Sequence, residues 1–166
     1  VRMAETEDHY LVCDRTGDCA AIEFLDGRMV VHRGNSLPVR ALANAPYAVC
    51  LDHWNRKTTP SKNPYNSVNR FSRLARMMSQ FKEGERDAAY EYAFKMLKDV
   101  AASDTRWSLV FDTGNLTFHV HTFQNPAVRS IDLKKIDFSC DTPAKMLDAH
   151  AGLAGDITGS FKDYSH

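Results

Sequence analysis

The chain has 166 residues, and its 21 Lys plus Arg balance 21 Asp plus Glu, so the formal net charge is zero. Apolar residues make up 43% and charged residues 25%, the mix of a soluble globular domain. That arithmetic excludes broad disorder and a wholly basic nucleic-acid binder, and the absence of an apolar run of about 20 residues excludes a membrane-spanning helix.

The chain opens Val1-Arg2-Met3 with no charged-then-apolar leader, so no signal peptide is expected in it. His9 nevertheless begins a strand at full stride, which fits either a small domain or the later part of a longer one. His9–Cys13, a Thr16-Gly17-Asp18 turn and Cys19–Phe24 read as a hairpin. Asp26-Gly27 is a two-residue turn signal leading into Arg28–His32, so the expectation is a three-stranded antiparallel meander. Asn35 to Pro46 reads as irregular. The cysteines are Cys13, Cys19, Cys50 and Cys140, with no CxxC spacing. Cys13 and Cys19 can face each other across the first hairpin, but the expectation is four buried or half-buried thiols. Compartment does not follow from them.

From His53 to Lys82 there is no acid, against Arg56, Lys57, Lys62, Arg70, Arg73, Arg76 and Lys82. Thr58–Pro64 is a loop by its breakers, and Ser67 is the expected N-cap of a helix running to about Ser79. Phe71, Leu74, Ala75 and Met78 fall on one face of it. A second helix is expected over about Glu85 to Ala102, with Tyr90, Ala93, Phe94, Leu97, Val100 and Ala101 as its apolar stripe. The period then returns to two: Trp107, Leu109 and Phe111, a Thr113-Gly114-Asn115 turn, then Leu116, Phe118 and Val120. A further strand is expected near Val128 to Leu133 and a short helix from Pro143 to His150. Strands, helices, strands in that order give an α+β layered domain.

Few of these residues announce chemistry. His119 and His121 share one strand face; that spacing suits a metal, but the stronger reading is the polar face of a half-buried sheet. No GxSxG elbow, GxxxxGK[ST] loop or GxGxxG fingerprint occurs. The acid-free stretch, interleaved with Trp54, Tyr65, Phe71 and Phe81, reads as a nucleic-acid patch, a funnel for anions or, most simply, a solvated face; overall neutrality argues against nucleic acid. Two residues stand out. Arg70 lies in the first turn of a helix, where the dipole favours anions rather than cations. Asn44, in Leu42-Ala43-Asn44-Ala45-Pro46, is a loop amide suited either to an oxyanion or to loop backbone groups.

The ordered series His9-Tyr10-Leu11-Val12, Ile22-Glu23, Leu42–Tyr47, Ser67-Val68-Asn69-Arg70-Phe71, Trp107–Asp112, His121-Thr122 and Ile131-Asp132-Leu133 resembles the choloylglycine hydrolase family of bile salt hydrolases and penicillin V acylases. The resemblance runs from about His9 to Asp137. It implies an N-terminal-nucleophile-type αββα layered fold, here an incomplete C-terminal portion with antiparallel sheets and two central helices, whether residues 1–166 form a single domain or part of one. It also implies hydrolysis of a linear amide C–N bond by an N-terminal cysteine whose own α-amine handles the proton. Asn44 matches the family's oxyanion-hole asparagine, and Arg70 the arginine beside the nucleophile, where it favours the thiolate. The family's Leu-Thr-Asn is here Leu42-Ala43-Asn44. The nucleophilic cysteine, the Arg and Asp that follow it and a further upstream Asn or Tyr have no counterpart, and Cys13 lies within a strand.

The implied partner is a small-molecule amide, with no cofactor, metal or nucleic acid. The implied assembly is a homo-oligomer or a pairing with the missing N-terminal portion, and the chain alone is expected to be inactive. The competing expectation is a non-catalytic α+β binding or assembly domain.

Overall fold

The structure, a computed structural model, describes residues 9–57, 59, 63, 66–82 and 89–164. The chain divides into two compact units, Val1–Lys82 and Glu83–His166.

In the first unit β1 (His9–Cys13), β2 (Cys19–Leu25) and β3 (Arg28–Arg33) form the expected antiparallel meander in the order β1-β2-β3. Asp26 (φ 51°) and Gly27 (φ 71°) both take the left-handed conformation that a two-residue hairpin turn requires. The first hairpin is tied by Asp14, whose carboxylate accepts from the Thr16 hydroxyl, the Thr16 amide and the Asp18 amide; these bonds hold its carboxyl below the usual range. Cys13 and Cys19 are opposite one another in register and joined in a disulfide, so the expectation of four free thiols is corrected: Cys50 is free and buried, Cys140 free and exposed.

Strand alternation sorts the sheet into two faces. Leu11, Cys19, Ala21, Glu23 and His32 lie on one; Tyr10, Val12, Ile22, Phe24, Met29 and Val31 lie on the other. Cys19 and Ala21 join Leu37, Ala41, Tyr47, Cys50 and Phe71 in the core. Two helices contribute to it. The first, α1 (Tyr47–Asn55), lies just beyond the irregular stretch and has no counterpart among the sequence expectations. The second, α2 (Ser67–Gln80), buries Phe71 and Ala75 and packs Leu74 and Met78 against the core, the face its periodicity marks. Its N-cap is Asn66, whose side chain accepts from the Asn69 amide, rather than Ser67. The breaker-rich loop before it falls outside the described residues except for Thr59 and Asn63.

The second unit begins its described part with α3 (Ala89–Asp99), inside the expected helix; residues 85–88 lie outside the described set. β4 (Trp107–Asp112), β5 (Thr117–Thr122) and β6 (Arg129–Asp132) form an antiparallel sheet, extended by the short parallel β8 (Gly155–Asp156). The helix expected over Pro143–His150 is absent. Lys145–Met146 instead forms β7 and pairs with β9 (Lys162–Asp163), because Met146 and Leu147 alone supply no amphipathic stripe while the ladder satisfies the backbone. Tyr90 stacks on His119 with ring centroids 4.5 Å apart, and Phe94 packs on His121 at 5.0 Å. The histidine face is therefore covered by α3 rather than open, and Trp107, Leu109 and Phe111 on the opposite face are exposed. Among the described residues no helix is long and apolar enough to cross a membrane.

Candidate functional site

Asn44 and Arg70, 26 residues apart, meet in the first unit: Arg70 Nη2 donates to Asn44 Oδ1 at 2.9 Å. With Oδ1 engaged by a group that can only donate, the amide Nδ2 is fixed on the other side and left free to donate. Arg70 reaches this bond from the first turn of α2, an unfavourable place for a cation that the contact to Asn44 accounts for. Its buried Nε has no hydrogen-bond partner among the described residues.

The loop that carries Asn44 is held at each following residue. The Ala45 amide donates to Ser67 Oγ at 2.6 Å, the first residue of α2. The Ala45 carbonyl accepts from Cys50 Sγ at 3.5 Å, and the Tyr47 amide donates to Glu23 Oε1 at 2.9 Å. Tyr47 O–H in turn donates to the Val39 carbonyl at 2.9 Å, pinning the far side of the loop. Ser67, read from the sequence as a cap, is thus a clamp on the asparagine loop.

Glu23 is the buried carboxylate at the centre of this network, and the sequence reading gave it no role. It is 1% exposed. Oε2 lies 3.1 Å from His32 Nε2, and Oε1 lies 3.8 Å from His9 Nδ1 while also accepting from Tyr47. A carboxylate at the first turn of α1 meets unpaired amides and the positive end of the helix dipole, so β2 supplies the cap that Pro46 cannot. The signal was available: one acid inside Ala20–Phe24, directly opposite His9 on β1 and on the same sheet face as His32, which pairs with Ala21 from β3. A cavity of about 300 Å³ is lined by His9, Glu23, Phe24, Asp26, Asn44 and Pro46, among others. The exposed asparagine and the buried carboxylate therefore border the same space.

The thiol of this network, Cys50, is fully buried. Burial pushes the Cys50 thiol up to about 11, the negative charge of Glu23 adds to the effect, and Arg70 opposes it. A second polar pair, His53 Nδ1 and Ser72 Oγ at 3.1 Å, is no nucleophile–base couple: Ser72 is buried and its hydroxyl donates to the Val68 carbonyl. His119 and His121 belong to the second unit, packed under α3, and no group of three or more metal-binding side chains occurs among the described residues.

Solved structures share this fold. Penicillin V acylase from Agrobacterium tumefaciens superposes with a TM-score of 0.80 at 24% identity, over 95% of this chain and 56% of that one. Two variants of conjugated bile acid hydrolase from Clostridium perfringens superpose with a TM-score of 0.63 at 16% and 15% identity, over 95% of this chain and 54% of theirs. These neighbours are amide hydrolases, and the chain spans a little more than half of their length. At such identities the likeness is one of fold. No family model matches the sequence, and no curated protein matches it.

Proposed function

We propose that this chain supplies the oxyanion and thiolate-stabilising side of a linear amide C–N hydrolase of the N-terminal-nucleophile class. The observation that carries the reading is the Arg70–Asn44 hydrogen bond: it leaves the amide N–H pair of Asn44 unspent beside a cavity that Asn44 lines, while the buried Nε of Arg70 has no partner among the described residues. Asn44 Nδ2 donates to the oxygen of the tetrahedral intermediate as it gains charge. Arg70 holds that amide in place, and its Nε favours a nearby thiolate. The attacking thiol is an N-terminal cysteine outside this chain: Cys13 and Cys19 are bonded, Cys50 is buried with its proton held, and Cys140, though free and exposed, is internal and has no α-amine of its own to move the proton. The thiolate adds to the amide carbonyl, the cysteine's own α-amine passes the proton to the leaving nitrogen, and water then releases the acyl group. Each unit carries a sheet with helix on one face and exposed apolar side chains on the other, and this layering within each unit supports an αββα-type architecture.

Those same exposed faces favour the second reading, a binding or assembly domain without catalysis. One assay separates the two. The chain alone and a longer protein in which an N-terminal cysteine segment precedes it are incubated with a panel of linear amides: bile-salt conjugates, phenoxymethyl penicillin and N-acyl amides. The proposal expects hydrolysis by the longer protein only. Hydrolysis by neither contradicts it and leaves the binding domain.

A further inference from the structure

The second unit holds a cavity of about 800 Å³ between the C-terminal part of α3 and the open ends of β4 and β5. Buried Phe94 and exposed Trp107 and Phe123 give it an apolar wall, and its ionised side chains are Lys95, Lys98 and Arg106, with no Asp or Glu among the lining residues. None of the three cations forms an ion pair among the described residues. Lys98 sits in the last turn of α3, where a cation offsets the negative end of the helix. That does not account for Arg106, beyond the helix, nor for Lys95, a turn earlier. Trp107 is 61% and Phe123 74% exposed, a large aromatic surface for a chain to leave in water beside a volume of drug-sized dimensions.

We infer that this cavity binds an amphipathic carboxylate: an acyl chain laid along Phe94, Trp107 and Phe123, with its head group among Lys95, Lys98 and Arg106. The chemistry is that of a small anionic amphiphile. A neutral alcohol would take the wall without the cations, and a cationic amphiphile would be repelled by them. The site is made entirely of second-unit residues and does not depend on the reading of Asn44 and Arg70.

The test uses the full chain and dodecanoate, below its micelle concentration, followed by calorimetry and by Trp107 fluorescence in a Trp54→Phe background. The expected result is saturable one-to-one binding that weakens at least ten-fold when Lys95→Gln, Lys98→Gln and Arg106→Gln are combined. Dodecanol should bind the native and triple-substituted chains alike, and dodecyltrimethylammonium should bind the native chain at least ten-fold more weakly than dodecanoate does. The three substituted side chains are exposed, and circular dichroism of the variant serves as the check that it is folded. Several results would overturn the assignment: no saturable dodecanoate binding, equal affinity for the cationic amphiphile, unchanged affinity in the triple variant, or binding to vesicles of anionic lipid in its place.

Discussion

In the first unit the buried charge is a carboxylate with both oxygens engaged; in the second it is a guanidinium with two nitrogens unpartnered. Glu23 meets Tyr47 N–H, His32 and His9, and through Tyr47 it fixes the start of α1 and the loop bearing Asn44. Arg129, equally buried, donates from Nη1 to the Ala149 carbonyl at 2.6 Å, while its Nε and Nη2 have no partner among the described residues. A satisfied buried charge locks its surroundings, whereas a partly satisfied one keeps most of its desolvation cost. The first unit thus spends its buried charge on the start of α1 beside the asparagine loop, while the second leaves its buried charge only partly paired among the described residues.

The comparison can be broken most directly at Glu23. Glu23→Ala strips the α1 cap and leaves His32 without its carboxylate, and should cost about 3–5 kcal/mol of first-unit stability. Urea unfolding followed by Trp54 fluorescence reads this, with Trp107 reporting the second unit; a loss below about 1 kcal/mol would mean that the network is incidental.

Alkaline pH probes the same core with a somewhat smaller effect. Cys50 is raised to about 11 in the folded state, so between its unfolded value near 9 and about 11 the native state keeps a proton that the unfolded state has released. Stability is therefore full below pH 9 and falls as pH rises through that window, by about 2–3 kcal/mol from this thiol. Tyr47, also raised by burial, acts in the same direction. Cys50→Ala should flatten the slope of unfolding free energy against pH; an unchanged slope would remove Cys50 from the account.

The smallest effect is expected in the second unit. Arg129→Met replaces a partly satisfied cation with an apolar chain of similar length, and should change stability by less than about 1 kcal/mol or raise it. A loss as large as that of Glu23→Ala would show that the two buried charges are equivalent after all.

Much of this was legible in the sequence, and the exceptions share a physical cause. Asp26-Gly27 and the periodicity of α2 are local signals, and the structure follows them. Asn44 and Arg70 could each be singled out as candidates from the sequence, though not their mutual hydrogen bond, which joins residues 26 apart in the chain. Helix α1 was hidden because its cap comes from Glu23, 24 residues upstream, and not from a neighbouring Ser, Thr, Asp or Asn. The open and covered faces of the β4–β5 sheet were hidden because alternation reveals two faces and not which one a helix will cover. Here α3 carries Tyr90 and Phe94, whose rings suit the imidazoles of His119 and His121.

The central claim is that Asn44 acts on the transition state and Arg70 positions it. The most direct measurement is kcat for amide hydrolysis and the thermal midpoint, side by side, for Asn44→Ala in the protein that carries the N-terminal cysteine segment. Loss of one oxyanion donor should lower kcat by about 100- to 1,000-fold. The exposed side chain contributes little to the core, so the midpoint should stay within a few degrees of the unsubstituted protein. A kcat that falls only in proportion to lost folded protein would make Asn44 a structural loop residue and contradict the account.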